Sequence, residues 1–135
     1  MPLQYSVTLR NNQLAQIEAT AGVSPLLKML VGTPPANCAA AEVGLVLAVM
    51  ILPADWMNVP ANGTVIKLGI WQDLAASAAG ILGYFRIYDS SGTTCHAQGN
   101  ITITGGGGTM TVDNTFVSPG QSIVVTLFSV SCGNA

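Results

Sequence analysis

The stretch Gly-Tyr-Phe-Arg-Ile-Tyr-Asp-Ser-Ser-Gly-Thr-Thr, residues 83–94, decides the fold of this 135-residue chain. It predicts a strand over residues 81–88, a tight turn at 89–92 and a return strand, because Asp, Ser and Gly favour turns. Successive side chains of a strand point to opposite faces. The polar and aromatic outer face carries Tyr84, Arg86 and Tyr88. The apolar face, which we expect in the core, carries Ile81, Phe85 and Ile87.

Short strand-like runs separated by Gly and Pro extend on both sides of that stretch, from about residue 26 to residue 131. The last run, 123–131, is apolar on both faces, so we expect it at the centre of a sheet or core. Residues 74–79 are rich in Ala. A helix is the alternative there, but their position between two strand signals favours a strand. Seven or eight short strands at nearly regular spacing are typical of a β-sandwich or jelly roll.

One helix is predicted near the N-terminus, over residues 6–21. Apolar side chains recur there at helical spacing, at Val7, Leu14, Ile17 and Ala21. Ser6 suits the start of the helix and Gly22 suits its end. The sequence therefore predicts one β-rich domain over residues 1–135. Its fold class is mainly β, an antiparallel β-sandwich or jelly-roll-like fold with one short N-terminal helix.

Charged residues are scarce. They make up 7% of the chain, against about 25% in an average globular protein. The longest apolar run, residues 43–52, is half the length of about 20 residues that a spanning helix needs. The first residues lack the basic and apolar regions of a secretory signal. We therefore expect no membrane partner, and a surface that is covered by other protein. The few Lys and Arg are scattered and the net charge is -2, which argues against nucleic-acid binding.

No group of residues predicts an enzyme, a cofactor site or a metal site. Cys38, Cys95 and Cys132 are an odd number of cysteines at long spacings. Two of them could pair in space and leave one over, but we expect free, partly buried thiols in a protein made in a reducing cytoplasm. His96 follows Cys95 directly, and neighbours on a strand point apart, which disfavours a Cys–His dyad. The glycines at 105–108 precede a strand and not a helix. We expect a flexible hairpin tip there and not a phosphate loop.

Five residues are the candidates for contact with another protein: Tyr84, Arg86, Tyr88, Trp56 and Met57. Tyr, Trp and Arg are enriched at the energetic centres of interfaces. For the outer face of the 81–88 strand, the alternative is that Arg86 stacks between the two tyrosines on a solvated sheet. For Trp56 and Met57, which fall in a long connection, the alternative is that they cap the core.

Several segments resemble small virion proteins of tailed bacteriophages, and the similarity runs through most of the chain. The segments are Gly-Tyr-Phe-Arg-Ile-Tyr-Asp-Ser-Ser-Gly-Thr-Thr-Cys-His-Ala-Gln-Gly (83–99), Pro-Ala-Asn-Cys-Ala-Ala-Ala (35–41), Leu-Pro-Ala-Asp-Trp-Met (52–57) and Gly-Gly-Gly-Gly-Thr-Met-Thr-Val-Asp-Asn-Thr (105–115). The resemblance implies a virion structural protein with a compact β-fold, such as a head decoration or cement protein. It supplies no catalytic residues to carry over.

Two functional hypotheses follow. In the first, the protein binds the major capsid protein and itself, as a homodimer or homotrimer, and stabilises the shell from the capsid surface. In the second, it is a tail- or fibre-associated adhesin that binds a host glycan or another tail protein. The second hypothesis uses Tyr84, Tyr88 and Trp56 as exposed rings that stack on sugars.

Overall fold

The structure, a computed structural model, describes residues 2–133. Strands account for 39% of the chain and helix for 11%, which confirms the predicted mainly β class. One helix, α1 (Val7–Ala21), precedes the strands. In chain order these are β1 (Leu26–Val31), β2 (Val46–Ile51), β3 (Thr64–Ile66), β4 (Gln72–Asp73), β5 (Gly80–Tyr88), β6 (Cys95–Ile103), β7 (Met110–Val112), β8 (Phe116–Val117) and β9 (Ile123–Ser131).

The strands pair in the order β2-β1-β5-β6-β7-β9-β3, with β4 added to β9 and β8 added to β5. We expected a purely antiparallel sheet, but the pair β6–β7 is parallel, so the sheet is mixed. Gly105 and Gly107 lie between these two strands with φ of 85° and 81°, a region that glycine enters without strain. Their turns bring the chain back beside Ile101, where β7 starts in the direction of β6. The predicted hairpin tip at 105–108 is therefore wrong.

The sheet folds over on itself into a β-sandwich-like core. Phe85 on β5 meets Phe128 on β9 edge-to-face, with ring centroids 5.6 Å apart, although two strands separate β5 from β9 in the sheet. Trp71 continues the aromatic row at 5.5 Å from Phe128, and Trp56 lies 5.9 Å from Trp71. Large rings bury more apolar area than any other side chain and pack best in such tilted pairs. They therefore join the two halves of the sheet.

Helix α1 begins at a side-chain cap and is held to the sandwich by polar contacts as well as by two buried side chains. Ser6 caps it, accepting a hydrogen bond from the Leu9 N–H at 3.1 Å, as the sequence predicts. Only Leu14 and Ala21 of the helix are buried. The Glu18 carboxylate accepts the backbone N–H of Trp56 at 2.9 Å and that of Met57 at 2.6 Å. Hydrogen bonds to a charged acceptor are about twice as strong as neutral ones, so Glu18 compensates for the small apolar contact.

Three further expectations differ from the structure. Residues 74–79 are irregular and not a strand. Their neighbouring backbone N–H groups bond to two different segments and not to one partner strand: the Ser77 N–H donates to the carbonyl of Leu47, and the Ala76 N–H donates to that of Gln121. Ile81 is 55% exposed, since it lies at the start of β5, opposite the short strand β8. Strand β9 lies inside the strand order as predicted, but its Leu127 is exposed.

Gly83 marks the closest approach between β5 and the chain that leaves β1. A Cβ at this position would overlap the carbonyl oxygen of Gly32 and lie 2.7 Å from its nitrogen. Backbone cannot move aside as a flexible side chain can. We expect Gly83→Ala to lower the free energy of unfolding by at least about 2 kcal/mol, measured by urea denaturation.

Gly133→Ala is the matched control, because a Cβ at Gly133 meets no atom within 4 Å. We expect this variant to stay within about 0.5 kcal/mol of the wild type. Equal stability of the two variants would contradict the close approach at Gly83.

Candidate functional site

The outer face of β5 carries polar and aromatic side chains, yet it is buried beneath another part of the chain. The pairing register places Lys28 of β1, Arg86 of β5 and Gln98 of β6 side by side across the sheet. Tyr84 and Tyr88 flank Arg86 on the same strand. The segment 32–45, which connects β1 to β2, lies over this face. We call these side chains and the residues of the segment that bond to them the Arg86 cluster.

Arg86 is 2% exposed, and each nitrogen of its guanidinium donates a hydrogen bond. Nε donates to Gln98 Oε1 at 3.0 Å, Nη1 to the Tyr88 hydroxyl at 3.3 Å and Nη2 to the Asn37 carbonyl at 3.1 Å. A buried cation is costly unless it is hydrogen-bonded and paired. The partners come from β5, β6 and the segment 32–45, so all three must be in place before Arg86 is satisfied.

Glu42 supplies the negative charge of the cluster. Its Oε1 accepts from Lys28 Nζ at 2.7 Å and from the Tyr88 hydroxyl at 3.1 Å. Partial burial acts to raise the pKa of Glu42, but the hydrogen bond and charge of Lys28 outweigh it. With smaller contributions from Tyr88 and Arg86, they hold the pKa below its usual range. Burial, in turn, raises the pKa of Tyr88, so its hydroxyl stays protonated and links Arg86 to Glu42.

Tyr84 fixes the other end of the covering segment. Its hydroxyl accepts the Val43 N–H at 3.1 Å and donates to the Val43 carbonyl. The tyrosine thus satisfies both backbone groups of one residue in irregular chain, which would otherwise need water. Gln98 adds a further tie, donating through Nε2 to the Pro35 carbonyl at 2.7 Å.

The prediction that Tyr84, Arg86 and Tyr88 form an exposed outer face is wrong. They are together on one face, as the alternation required, but they are 0%, 2% and 5% exposed. The reason is the segment 32–45, whose carbonyls and Glu42 replace solvent as partners. The alternative prediction, in which Arg86 stacks between the two tyrosines on a solvated sheet, is wrong for the same reason. The sequence signal for this cover was present in Asn37 and Glu42, but irregular chain has no periodicity that reveals where it folds.

Trp56 and Met57 belong to a different part of the molecule. Both are buried, at 0% and 3% exposure, so they are not offered for surface contact either. Trp56 Nε1 donates to the Gly22 carbonyl at 2.9 Å, and its ring packs on Trp71 in the core. The alternative that the two residues cap the core is the one that their burial supports. The structure does not bring them to the Arg86 cluster.

Sequence patterns gave no sign of a cleft that lies between α1 and the sheet. Its volume is about 430 Å³, and Phe85, Ile87 and Phe128 are among its apolar lining residues. His96 is the one titratable side chain that lines it within residues 2–133. The cleft exists because α1 buries so few side chains against the sheet. Its chemistry suits apolar contact and hydrogen bonding and includes no acid–base pair.

The cysteines and the possible metal ligands are the other chemistry-bearing residues. Cys38, Cys95 and Cys132 are free thiols of intermediate exposure, which agrees with the prediction. Across residues 2–133, no three His, Cys, Asp or Glu side chains are grouped to hold a metal ion. No helix in that same range has the length and apolar character needed to cross a membrane.

Comparison with known proteins adds no relative. The chain matches no protein-family model, no curated protein and no solved structure.

The Glu42 carboxylate makes the stability of the protein depend on pH. Because its folded-state pKa is depressed, its contribution is fully present above the unfolded pKa of about 4.3. The contribution is lost as the pH falls through the lower, folded value. We expect Glu42→Gln to cost about 1 kcal/mol at pH 7, and the cost to disappear toward pH 3, measured by urea denaturation across pH.

Asp55→Asn is the control, since it removes one carboxylate at an exposed position. We expect it to change stability at pH 7 by less than about 0.5 kcal/mol. A Glu42→Gln penalty that stays constant down to pH 3 would show that the depressed pKa is not its cause.

Proposed function

We propose that this protein is a bacteriophage virion structural protein that decorates the capsid and stabilises the major capsid shell. One observation carries the proposal: large apolar side chains are exposed over much of the surface of a chain with few charges. The most exposed of them, by relative accessible area of the residue, are Val59 at 83%, Ile51 at 75%, Ile70 at 71%, Leu74 at 69% and Phe116 at 68%. Extended exposed apolar surface is typical of proteins that work in contact with other protein.

A local group of such residues borders the Arg86 cluster. Val49 and Ile51 lie on the outer face of β2, beside Lys28 and Leu26 of β1. Val43 and Leu45 lie in the segment that covers that face, and all four are exposed, at 41–75%. We call these four residues the β2 patch. Because Tyr84 holds Val43 by both backbone groups, part of the patch is fixed before any partner binds, which lowers the entropy cost of association.

We expect a partner to bind the β2 patch through side chains and not by adding a strand to the edge of β2. Strand β2 ends the sheet, and an open edge invites strand addition. Here the Asp73 carboxylate accepts the Val49 N–H at 3.1 Å, and the Ser77 N–H donates to the Leu47 carbonyl at 3.0 Å. These bonds occupy edge groups that an added strand needs. The protein can therefore expose apolar side chains with less risk of polymerising through its edge.

A decoration protein needs only modest contacts at each site. If the chain is a dimer or trimer, as we propose, each copy adds its contacts to those of its neighbours on a symmetric shell. Linked sites bind far more tightly than single ones, without any new kind of contact. Small apolar patches on a rigid β-core fit this mode of action, and the role proposed is structural and not enzymatic.

The adhesin hypothesis has less support from the geometry. Its stacking residues, Tyr84, Tyr88 and Trp56, are buried at 0–5% exposure. Sugars stack on open ring faces, so these three side chains are not available for that contact. A tail or fibre location remains a second outcome of the experiment below.

The test is co-sedimentation of the purified protein with expanded capsids of the phage that encodes it, prepared without this protein. We expect saturable binding, and capsids that resist heat and dilution better once bound. Ile51→Glu should weaken binding at least about tenfold, because it places a charge in an apolar contact.

Thr8→Glu is the matched control, since it adds the same charge at an exposed position on α1, away from the β2 patch. We expect it to bind as the wild type does. Failure of the wild type to bind capsids, together with capsids that resist heat equally without it, overturns the proposal. Binding to tails alone would favour the alternative.

A further inference from the structure

Two cysteines that are far apart in the sequence meet at the edge of the Arg86 cluster. Cys38 lies in the covering segment 32–45, and Cys95 is the first residue of β6. Both line a shallow cavity of about 290 Å³, together with Arg86 and Tyr88. Both cysteines therefore border the same small space. Neither spacing nor local pattern predicts this pairing.

Both thiols are held in place by their surroundings. Cys95 pairs with Tyr88 in the sheet, and its Sγ lies 3.4 Å from the Ala97 carbonyl. Cys38 follows Asn37, whose side chain accepts the Ala40 N–H at 3.0 Å and so forms a tight turn. The Asn37 carbonyl is itself bound by Arg86 at 3.1 Å. The placement of both cysteines on one cavity wall is therefore a fixed feature of the fold and not a chance approach of mobile loops.

We propose that Cys38 and Cys95 form a reversible disulfide that locks the covering segment 32–45 onto the sheet. This inference does not depend on the proposed function. Both thiols are partly exposed, so a small oxidant reaches them. Cys132 lies apart, with its Sγ at 2.9 Å from Gln13 Oε1 on α1, and remains a free thiol.

The oxidant is a small-molecule disulfide such as oxidised glutathione. Cys38 attacks one of its sulfurs, a mixed disulfide forms at Cys38, and one glutathione leaves as a thiolate. Cys95 then attacks Cys38 Sγ, the Cys38–Cys95 bond forms, and the second glutathione leaves. Two protein thiols are oxidised, one glutathione disulfide is reduced to two thiols, and the two thiol protons pass to the departing glutathione or to solvent.

The order of these steps follows from the environment of Cys95. Burial and the neighbouring Cys38 raise the pKa of the Cys95 thiol to about 11, although the charge of Arg86 acts in the opposite direction. Only a thiolate attacks a disulfide, so Cys95 is poorly suited to begin the reaction near neutral pH. Cys95 must still attack in the second step, so that step is the slow one near neutral pH. A reducing cytoplasm keeps both thiols reduced, and the bond forms once the protein enters an oxidising environment.

Closure of the disulfide would add a covalent bond between elements that are now joined by hydrogen bonds and by the Lys28–Glu42 ion pair. The bond joins the covering segment to β6, and the segment carries Glu42, Val43 and Leu45. Opening of the segment would expose the Arg86 guanidinium without its Asn37 partner. With the disulfide closed, that opening is suppressed, and the β2 patch loses conformational freedom.

The experiment is oxidation of the purified chain with glutathione disulfide at pH 8.5, followed by alkylation of free thiols and peptide mapping by mass spectrometry. We expect the number of free thiols to fall from three to one, with Cys38 and Cys95 in one cross-linked pair. Because the bond closes a long loop, we expect it to raise the Tm by about 10 °C, and dithiothreitol to reverse the change.

Three Ser variants serve as controls. Cys132→Ser should keep both the cross-link and the rise in Tm, whereas Cys38→Ser and Cys95→Ser should each abolish both. Since the wild type alone reports the cross-link, the test does not depend on the variants folding. Three free thiols in the folded wild type after prolonged oxidation would overturn the proposal, as would a peptide map that links Cys132 or joins two chains.

Discussion

The burial of Arg86 is the constraint on which the rest of this structure depends. A guanidinium at 2% exposure must have its donors satisfied and its charge offset. Gln98 and Tyr88 satisfy part of it from the sheet, and the Asn37 carbonyl completes it from the segment 32–45. Glu42, linked to Arg86 by the Tyr88 hydroxyl, supplies a nearby negative charge that it shares with Lys28. A long irregular connection therefore has one preferred position, and the outer face of β5 becomes a second, polar core.

Strand β5 consequently joins two unlike cores. On one side Phe85 enters the aromatic row of Phe128, Trp71 and Trp56, which holds the folded sheet together by apolar packing. On the other side Tyr84, Arg86 and Tyr88 hold the covering segment by hydrogen bonds. Apolar packing is tolerant of small shifts, whereas hydrogen bonds demand specific partners. The apolar face thus contributes most to stability, and the polar face sets the position of the covering segment.

Much of the fold was predictable from local patterns, and much of the site was not. The β-rich class, helix α1 with its Ser6 cap and the strand–turn–strand around residues 83–94 follow from spacing and turn chemistry, which are properties of neighbouring residues. The alternation in β5 correctly placed Tyr84, Arg86 and Tyr88 on one face. It could not say whether that face met water, because the answer lies in residues more than 40 positions earlier in the chain.

By itself, the sequence determined a mainly β chain with few charges, and with Tyr84, Arg86 and Tyr88 on the same face of one strand. Only the tertiary structure decided that this face is buried, that β6 and β7 run parallel, and that Cys38 meets Cys95. The physical reason is the range of the interactions. Periodicity, capping and turn propensity act over a few residues, whereas the partners of a buried charge, the closure of a sheet and the meeting of two thiols are set by contacts between distant segments.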